Sequence, residues 1–271
     1  MNELTGRNAV ITGGLTGQGL AIAHELARLG ANVAVGSFVR EAAGRSGDAA
    51  AYPDPEEITT VRNALAAHGG KVFAGHLDVR DTGSIEQFLE ACGEPDILVN
   101  AAGTTAEQPV SGHSDELWLK IIDTNLNGAF RMIREVLPGM MERGWGRIVN
   151  IGSTAAEVGW KDNPAYCASK SGLLGLTRCV ALEGAPHGVT CMMVSPTWVE
   201  TELMRRNVEQ VAAREGKGRT AADLMAEIAA QNPQQRIIQP DEIAALVGFL
   251  CGERAKGITM ENIKVTGGAL W

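Results

Sequence analysis

A tyrosine and a lysine lie four positions apart at Tyr166 and Lys170, in a stretch whose apolar spacing predicts a helix. Residues four apart share one face of a helix, so we expect the phenol and the ammonium group to lie side by side. A free phenol has a pKa of about 10, and a neighbouring cation lowers this pKa because it favours the phenolate. The pair therefore predicts a general acid or base that exchanges a proton near neutral pH.

A second run of residues is suited to binding an anion. The strand-like residues 8–12 lead into the sequence TGGLTGQG (residues 12–19), and a helix is expected to begin near Leu20. Glycines at such a turn let the backbone approach a pyrophosphate, which the N–H groups and the dipole of the helix then hold. Gly13, Gly17 and Gly19 are the essential positions. An ordinary strand-to-helix turn would also fit this run taken alone.

These groups need a scaffold that brings them together. Strand-like runs alternate with amphipathic helical stretches along the chain, which is typical of repeated βαβ units and a parallel sheet. The sequence therefore predicts an α/β fold, a single Rossmann-like domain over residues 1–271 with a doubly wound parallel sheet and helices on both faces. The expected strands are residues 8–12, 32–35, 72–76, 97–99, 147–151, 190–194 and 262–265. The expected helices are residues 19–29, 56–67, 115–141, 165–183 and 240–250.

Two segments depart from this alternation. Residues 37–55 are rich in Ala, Gly and Pro with little periodicity, which indicates a loop beside the adenosine end of a dinucleotide site. Residues 197–239 form a long polar excursion, and excursions of this kind are frequently lids over active sites. Substrate selection is expected to reside in this lid.

The composition argues against several classes of partner. A net charge of -8 disfavours nucleic acid and anionic membrane surfaces. The first residues lack the pattern of a secretory signal, and no apolar run reaches the roughly 18 residues of a membrane span, so we expect a cytoplasmic protein with no membrane partner. The 5 cysteines contain no C-x-x-C pair and the 5 histidines show no ligand spacing, so no metal is expected.

Further motifs follow in an order that resembles the short-chain dehydrogenase/reductase family. The run TGGLTGQG has that family's T-G-x-x-x-G-x-G spacing, and Asp78-Val79 resembles its D-V motif. The sequence NAAG (residues 100–103) resembles N-N-A-G, and YCASK (residues 166–170) carries the Tyr-x-x-x-Lys pattern. The resemblance spans residues 4–268. It implies an NAD(P)-dependent oxidoreductase that interconverts a ketone and a secondary alcohol.

The resemblance also implies a role for each catalytic residue. Tyr166 is the general acid or base, and Lys170 additionally reaches the ribose hydroxyls next to the nicotinamide. Ser153 hydrogen-bonds the substrate oxygen and stabilises charge that develops there. Asn125 resembles the helix residue that opens the backbone to a water and continues a proton relay from Lys170.

The cofactor contacts that the resemblance implies come from the glycine turn, the ends of later strands and the catalytic helix. They are Gly13, Leu15, Thr16, Gly17, Gln18, Gly19, Ser37, Arg40, Asp78, Val79, Asn100, Ala101, Ala102, Gly103, Tyr166, Lys170, Pro196, Val199 and Thr201. Thr197 departs from the family pattern because it stands where a Gly usually lets the backbone turn freely.

The end of the second strand bears on the choice between NADP and NAD. An acid there would accept the ribose hydroxyls of NAD, but the chain has Ser37. Arg40 and Arg45 follow and can pair with a 2′-phosphate. Thr16 and Phe38 stand where NADP-preferring members often have basic residues, which favours NAD. On balance the sequence favours NADP over NAD.

The substrate and the assembly are less defined. Trp160, Lys161, Asn163 and Trp198 are candidates for the walls of a pocket for a small carbonyl or alcohol. A β-ketoacyl reductase, a 3-hydroxy acid dehydrogenase and a dinucleotide-binding regulator without turnover all remain open. The family generally assembles through two long helices, so a homotetramer or a dimer is expected. Trp271 packs in the core, on a neighbouring subunit or over the pocket.

Overall fold

A computed structural model describes residues 3–43, 52–215 and 218–269 of the chain. Seven strands lie within these ranges: β1 (Asn8–Thr12), β2 (Asn32–Ser37), β3 (Val72–His76), β4 (Ile97–Asn100), β5 (Gly146–Ile151), β6 (Val189–Pro196) and β7 (Asn262–Val265). All pair in parallel, in the order β3-β2-β1-β4-β5-β6-β7. The predicted parallel sheet is confirmed.

Helices connect successive strands. In chain order they are α1 (Gly17–Arg28), α2 (Arg40–Ala43), α3 (Pro55–Ala66), α4 (Thr82–Cys92), α5 (Asp115–Ile122), α6 (Gly128–Glu142), α7 (Pro164–Gly184), α8 (Glu202–Glu215), α9 (Ala221–Gln231) and α10 (Pro240–Cys251). None of those in the described ranges combines the length and the hydropathy of a membrane span.

The two faces of the sheet are covered by two apolar cores. On β1, Ala9 and Ile11 point into a core shared with α1, α3 and α10, whereas Val10 points into a core shared with α4, α6 and α7. Neighbouring strands alternate in the same way, so both faces of the sheet are buried. This is the physical reason why the strands read as continuous apolar runs rather than as alternating ones.

The strand order reverses between β1 and β4. Crossover helices leave these two strands toward opposite faces, and such a point opens a crevice at the carboxyl ends of the strands. The Thr12 hydroxyl oxygen joins the two ends, because it accepts the backbone N–H groups of Ala101 and Ala102, each at 3.1 Å. The glycine turn and the segment after β4 are therefore held against one another.

One predicted helix is divided in the structure. The expected helix over residues 115–141 is divided into α5 and α6 by a π-helical turn at Asp123–Asn127. The expected lid over residues 197–239 contains α8 and α9. Arg45 and Trp271 lie outside the described residues.

Candidate active site

The predicted general acid lies at the start of α7, beside the end of β5. Tyr166 is in the first turn of this helix, and Lys170 follows one turn later with its Nζ atom 5.6 Å from the centroid of the phenol ring. Lys170 is buried, and its ammonium group donates a hydrogen bond of 2.8 Å to the carbonyl oxygen of Ile151. The last residue of β5 therefore fixes the position of the positive charge.

Burial dominates the protonation of both groups. It raises the pKa of Tyr166 above its ordinary value, although a hydrogen bond with Ser153 acts in the opposite direction. Burial also lowers the pKa of Lys170 to about 8. The expectation of a lowered pKa for the phenol is wrong, because the desolvation of its charged form outweighs the opposing contributions. Tyr166 is thus a neutral phenol at neutral pH, which is the form that donates a proton.

Ser153 brings a second hydroxyl to the same place. It lies two residues beyond β5, is buried, and accepts the backbone N–H of Ala155 at 3.1 Å, which caps a short 3₁₀ turn. Its side chain hydrogen-bonds the phenol of Tyr166, so the two hydroxyls lie next to each other. A carbonyl oxygen beside this pair would meet both groups.

Asn125 occupies the π-helical turn between α5 and α6, where its side chain is almost completely buried. Its Oδ1 accepts the N–H of Thr104 at 2.8 Å, and its Nδ2 donates to the carbonyl of Thr104 at 2.9 Å and to Oγ of Ser169 at 3.1 Å. A Cβ atom placed on Gly103 would lie 3.5 Å from Oδ1 of Asn125 and 3.9 Å from Nζ of Lys170. All four predicted catalytic residues are therefore brought together.

The glycine turn has the geometry expected of a phosphate cradle. Gly13 and Gly17 have φ values of 66° and 53°, which favour glycine, and a Cβ on Gly19 would lie only 2.2 Å from the carbonyl oxygen of Gly13. Thr16 is the N-cap residue of α1, but its side chain accepts no hydrogen bond from the first N–H groups of the helix. These N–H groups are therefore not bonded by the Thr16 side chain. The turn therefore fits a dinucleotide pyrophosphate.

Three residues that shape the candidate site were not identified as such from the sequence. Gly14 is one, because a Cβ there would lie 2.9 Å from the Ile11 carbonyl oxygen and from Val35. Thr12, which joins β1 to the segment after β4, is another. Ser169 connects the catalytic helix to Asn125 and donates to the carbonyl of Tyr166 at 2.7 Å. The first two follow directly from the T-G-G run, whereas the role of Ser169 depends on tertiary packing.

The end of β2 is tied to the glycine turn, since Oγ of Ser37 accepts the N–H of Leu15 at 3.3 Å. Asp78, at the end of β3, accepts two hydrogen bonds from the guanidinium group of Arg80, at 2.9 and 2.8 Å. Burial by itself would raise the pKa of Asp78, but these hydrogen bonds outweigh burial and hold the pKa below its ordinary value. Asp78 is consequently an anion within an ion pair. Val79 is buried beside it, against Gly128.

Arg40 is paired with acidic residues that the sequence did not connect to it. Its Nη1 lies 3.1 Å from Oδ2 of Asp54 and its Nη2 lies 3.5 Å from Oε2 of Glu57, while Nε donates to the carbonyl of Tyr52 at 3.2 Å. Asp54 caps the amino terminus of α3, and Glu57 lies in its first turn. The predicted phosphate-binding arginine thus already has two carboxylate partners.

The remaining predicted cofactor residues surround the crevice. Gln18 lies in the first turn of α1, and Asn100 ends β4 with its Nδ2 donating to Asn150 at 2.8 Å. Pro196 ends β6, and Val199 pairs with Ile238 of the lid segment. A Cβ on Gly17 would lie 3.4 Å from Cγ2 of Thr201, so the lid segment begins against the glycine turn.

Thr197 is accommodated without strain. The described non-glycine residues with positive φ are Asp162, Gln235 and Met260, and Thr197 is not among them. The substitution of the usual glycine therefore leaves the backbone after β6 in an ordinary conformation.

Trp160 lies beside the phenol of Tyr166, and Trp198 packs against Trp160. The rings of Trp160 and Trp198 meet edge to face with their centroids 4.8 Å apart, and the centroid of Trp160 is 6.4 Å from that of Tyr166. Asn163 has a structural role instead, since its Oδ1 accepts from the Thr105 hydroxyl at 3.1 Å and its Nδ2 donates to the Lys161 carbonyl at 3.2 Å. Lys161 is exposed. The two indole rings are thus the candidate pocket walls beside the reacting position.

Within residues 3–43, 52–215 and 218–269, no group of three or more His, Cys, Asp or Glu side chains is arranged to hold a metal ion.

Comparison with known proteins extends these observations. A protein family described as enoyl-(acyl carrier protein) reductase matches residues 13–269. A putative ketoacyl reductase of the monensin polyketide synthase from Streptomyces virginiae is 37% identical, with 99% of this chain and 98% of that protein aligned. A D-beta-hydroxybutyrate dehydrogenase from Cupriavidus necator is 35% identical, with coverages of 99% and 96%. A solved structure of a Phe-to-Trp variant of actinorhodin polyketide ketoreductase with NADPH has a TM-score of 0.86 at 33% identity, over 100% of this chain and 98% of that one.

Proposed function

Because the chain belongs to the short-chain dehydrogenase/reductase family, we propose that Tyr166, Ser153, Lys170 and Asn125 catalyse its reaction. That reaction is the NAD(P)-dependent interconversion of a ketone and a secondary alcohol. The observation that carries the assignment is the meeting of the Tyr166 and Ser153 hydroxyls at one position, with the Lys170 ammonium group behind them. The predicted reaction class is confirmed, and a regulator without turnover is not favoured.

Tyr166 acts as the proton donor when the ketone is reduced. Its raised pKa keeps the phenol protonated at neutral pH, and the hydroxyl of Ser153 stabilises negative charge on the same substrate oxygen. A bound nicotinamide supplies or accepts the hydride. The buried Lys170 ammonium group stabilises the phenolate that remains after proton transfer.

Reprotonation of Tyr166 follows the line from Lys170 toward the π-helical turn. Asn125 holds both the N–H and the carbonyl of Thr104, which keeps the segment after β4 open beside Lys170. π-helical turns of this kind are frequent at functional sites because they change the hydrogen-bond register of a helix. In this proposal Asn125 is a positioning residue for the relay.

We further propose a 3-oxoacyl compound as the substrate, or the matching 3-hydroxyacyl compound in the reverse direction. The support is that two relatives aligned over nearly their whole lengths are named as a ketoacyl reductase and a hydroxybutyrate dehydrogenase. The partly exposed indoles of Trp160 and Trp198 offer apolar surface next to the reacting position.

The test compares the reduction of an acetoacetyl thioester with the reduction of 2-butanone. Both compounds are methyl ketones, but 2-butanone lacks the thioester group. We expect kcat/KM to be at least about 100-fold higher for the thioester, a difference of roughly 2.7 kcal/mol in transition-state binding. Equal values would exclude the acyl group as a recognition element. A lack of turnover with every ketone would refute the catalytic assignment.

We also propose a homotetramer, or a dimer, formed through the two long helical segments, α5 with α6 and α7, and a cytoplasmic location. The support for assembly is that α5 and α7 expose large apolar side chains, with Leu119 62% and Leu182 65% exposed. Sedimentation equilibrium of wild-type protein and of Leu182→Glu would test it. Loss of oligomers only in the variant is the expected result, and a monomeric wild type would contradict it.

A further inference from the structure

We infer that this enzyme prefers NAD to NADP, and that Asp54 and Glu57 of α3 are the residues that impose the choice. The inference rests on the proposed function, since it concerns the same dinucleotide site. An acid at the end of β2 commonly selects NAD by accepting ribose hydroxyls and repelling a 2′-phosphate. Ser37 removes that acid from β2, and the fold supplies carboxylates from the next helix along the chain.

The position of these carboxylates relative to the glycine turn is the first step. An open cavity of about 390 Å³ lies between the turn and α3. The turn contributes Leu15 and Thr16 to its lining, and α3 with its cap contributes Asp54, Glu56 and Glu57. Because Oγ of Ser37 holds the N–H of Leu15, the end of β2 borders this same region. A 2′-group on a ribose held beside Ser37 would therefore meet the first turn of α3.

The charge of this rim is the second step. Three carboxylates from Asp54, Glu56 and Glu57 line the cavity, and Arg40 is paired with two of them at 3.1 and 3.5 Å. Arg40 offsets one of these three negative charges, which leaves the described lining of the cavity net negative; Arg45 lies outside the described residues. A 2′-phosphate carries a charge of about -1.5 to -2 at neutral pH, so it would meet repulsion and would have to compete for Arg40. A ribose hydroxyl instead donates a hydrogen bond to a carboxylate.

The rigidity of the two acids is the third step. Oδ1 of Asp54 accepts the N–H groups of Glu56 and Glu57 at 3.0 and 2.9 Å, and Oε2 of Glu57 accepts the N–H of Asp54 at 2.8 Å. This reciprocal capping box satisfies the amino terminus of α3 and fixes both side chains. The carboxylates therefore do not turn away freely when a phosphate approaches.

The inference reverses the expectation from the sequence, where Ser37 is neutral and Arg40 has no assigned partner. The solved structure of the actinorhodin polyketide ketoreductase variant contains NADPH. The choice is therefore decided by direct binding of the two cofactors.

The experiment measures dissociation constants of NADH and NADPH by calorimetry, without substrate, for wild type and two variants. Glu57→Gln removes one charge but keeps a side chain that can complete the capping box. Glu86→Gln removes one charge from the exposed surface of α4 and serves as the matched control. We expect wild type to bind NADH at least about tenfold more tightly, and Glu57→Gln to reduce this ratio by about three- to tenfold, through tighter NADPH binding.

Other outcomes overturn the inference in distinguishable ways. Tighter binding of NADPH by wild type refutes the preference itself. A preference for NADH that Glu57→Gln and Glu86→Gln leave equally unchanged refutes the role of Glu57. Binding of neither cofactor refutes the proposed function instead.

Discussion

The catalytic end of the cleft and its adenosine rim are built in different ways. At the catalytic end, Tyr166 and Lys170 lie on one helix, and their partners Ser153 and Ile151 lie at or just beyond the end of β5. At the rim, Arg40 belongs to the short helix α2, whereas Asp54 and Glu57 belong to the start of α3, and residues 44–53 separate the two. The sequence predicts a pair such as Tyr166 and Lys170, because their spacing within one helix places them side by side. It does not predict a contact such as that of Arg40 with Asp54, which depends on how two separate segments pack.

The largest effect expected at the catalytic end is that of Tyr166→Phe. Loss of the proton donor should lower kcat by about 10²–10⁴-fold, while dinucleotide binding stays within a small factor of wild type. Steady-state kinetics and calorimetry measure the two quantities. Tyr52→Phe is the matched control, because Tyr52 is the only other tyrosine and lies at the rim. Equal losses of kcat in Tyr166→Phe and Tyr52→Phe would contradict the assignment of catalysis to the Tyr166 end of the cleft.

The pH dependence of reduction should report Lys170. Its pKa is lowered to about 8, so the ammonium form is present below that pH and is lost above it. We therefore expect kcat for reduction to be highest below pH 8 and to fall as the pH rises through this value. A pH profile of Lys170→Arg provides the comparison, because arginine stays charged and the decline near pH 8 should disappear. A decline of the same position in the variant would assign it to another group.

The glycine turn lies between the two regions, and Gly19→Ala should destabilise it. Its Cβ would lie 2.2 Å from a backbone oxygen that cannot move without displacing Gly13, so we expect a loss of about 1–3 kcal/mol in the free energy of unfolding. Denaturant titration measures it. Gly175→Ala in α7 is the control, since a Cβ there meets no atom within 4 Å and alanine should stabilise the helix by about 0.8–1 kcal/mol.

The smallest effect is expected at the rim from Asp54→Ala. This change removes the cap of α3 and one partner of Arg40, and the lost cap should lower the free energy of unfolding by about 1 kcal/mol. The melting temperature of Thr220→Ala, which removes the corresponding cap of α9, gives a reference for a cap without an arginine partner. A much larger loss for Asp54→Ala would mean that the rim stabilises the whole fold.

The fold was predictable because its signals are local. Strands β1, β3 and β7 have the predicted bounds, since buried parallel strands are continuous apolar runs between turns. The π-helical turn was not predictable, because Asp123–Asn127 has the same amphipathic spacing as the helices around it. The resemblance led correctly to the family and the reaction class.

The candidate site likewise contains features that the sequence predicted and features that it did not. The four catalytic residues meet as predicted from their order in the chain, but their individual roles stay predictions. The pKa of Tyr166 was predicted in the wrong direction, because burial is a property of the surrounding fold. The partners of Arg40 were missed, since no pattern connects it to Asp54 across the intervening loop.

The contact between Trp160 and Trp198 gives the cleft an optical signal of its own. Trp160 belongs to the loop before α7 and Trp198 to the start of the lid segment, so any displacement of the lid changes the distance between the two indoles. Reduced nicotinamide absorbs light in the range in which indoles emit. Stopped-flow fluorescence of the unlabelled enzyme can therefore follow cofactor arrival and lid movement in one experiment, with Trp198→Phe separating the two signals.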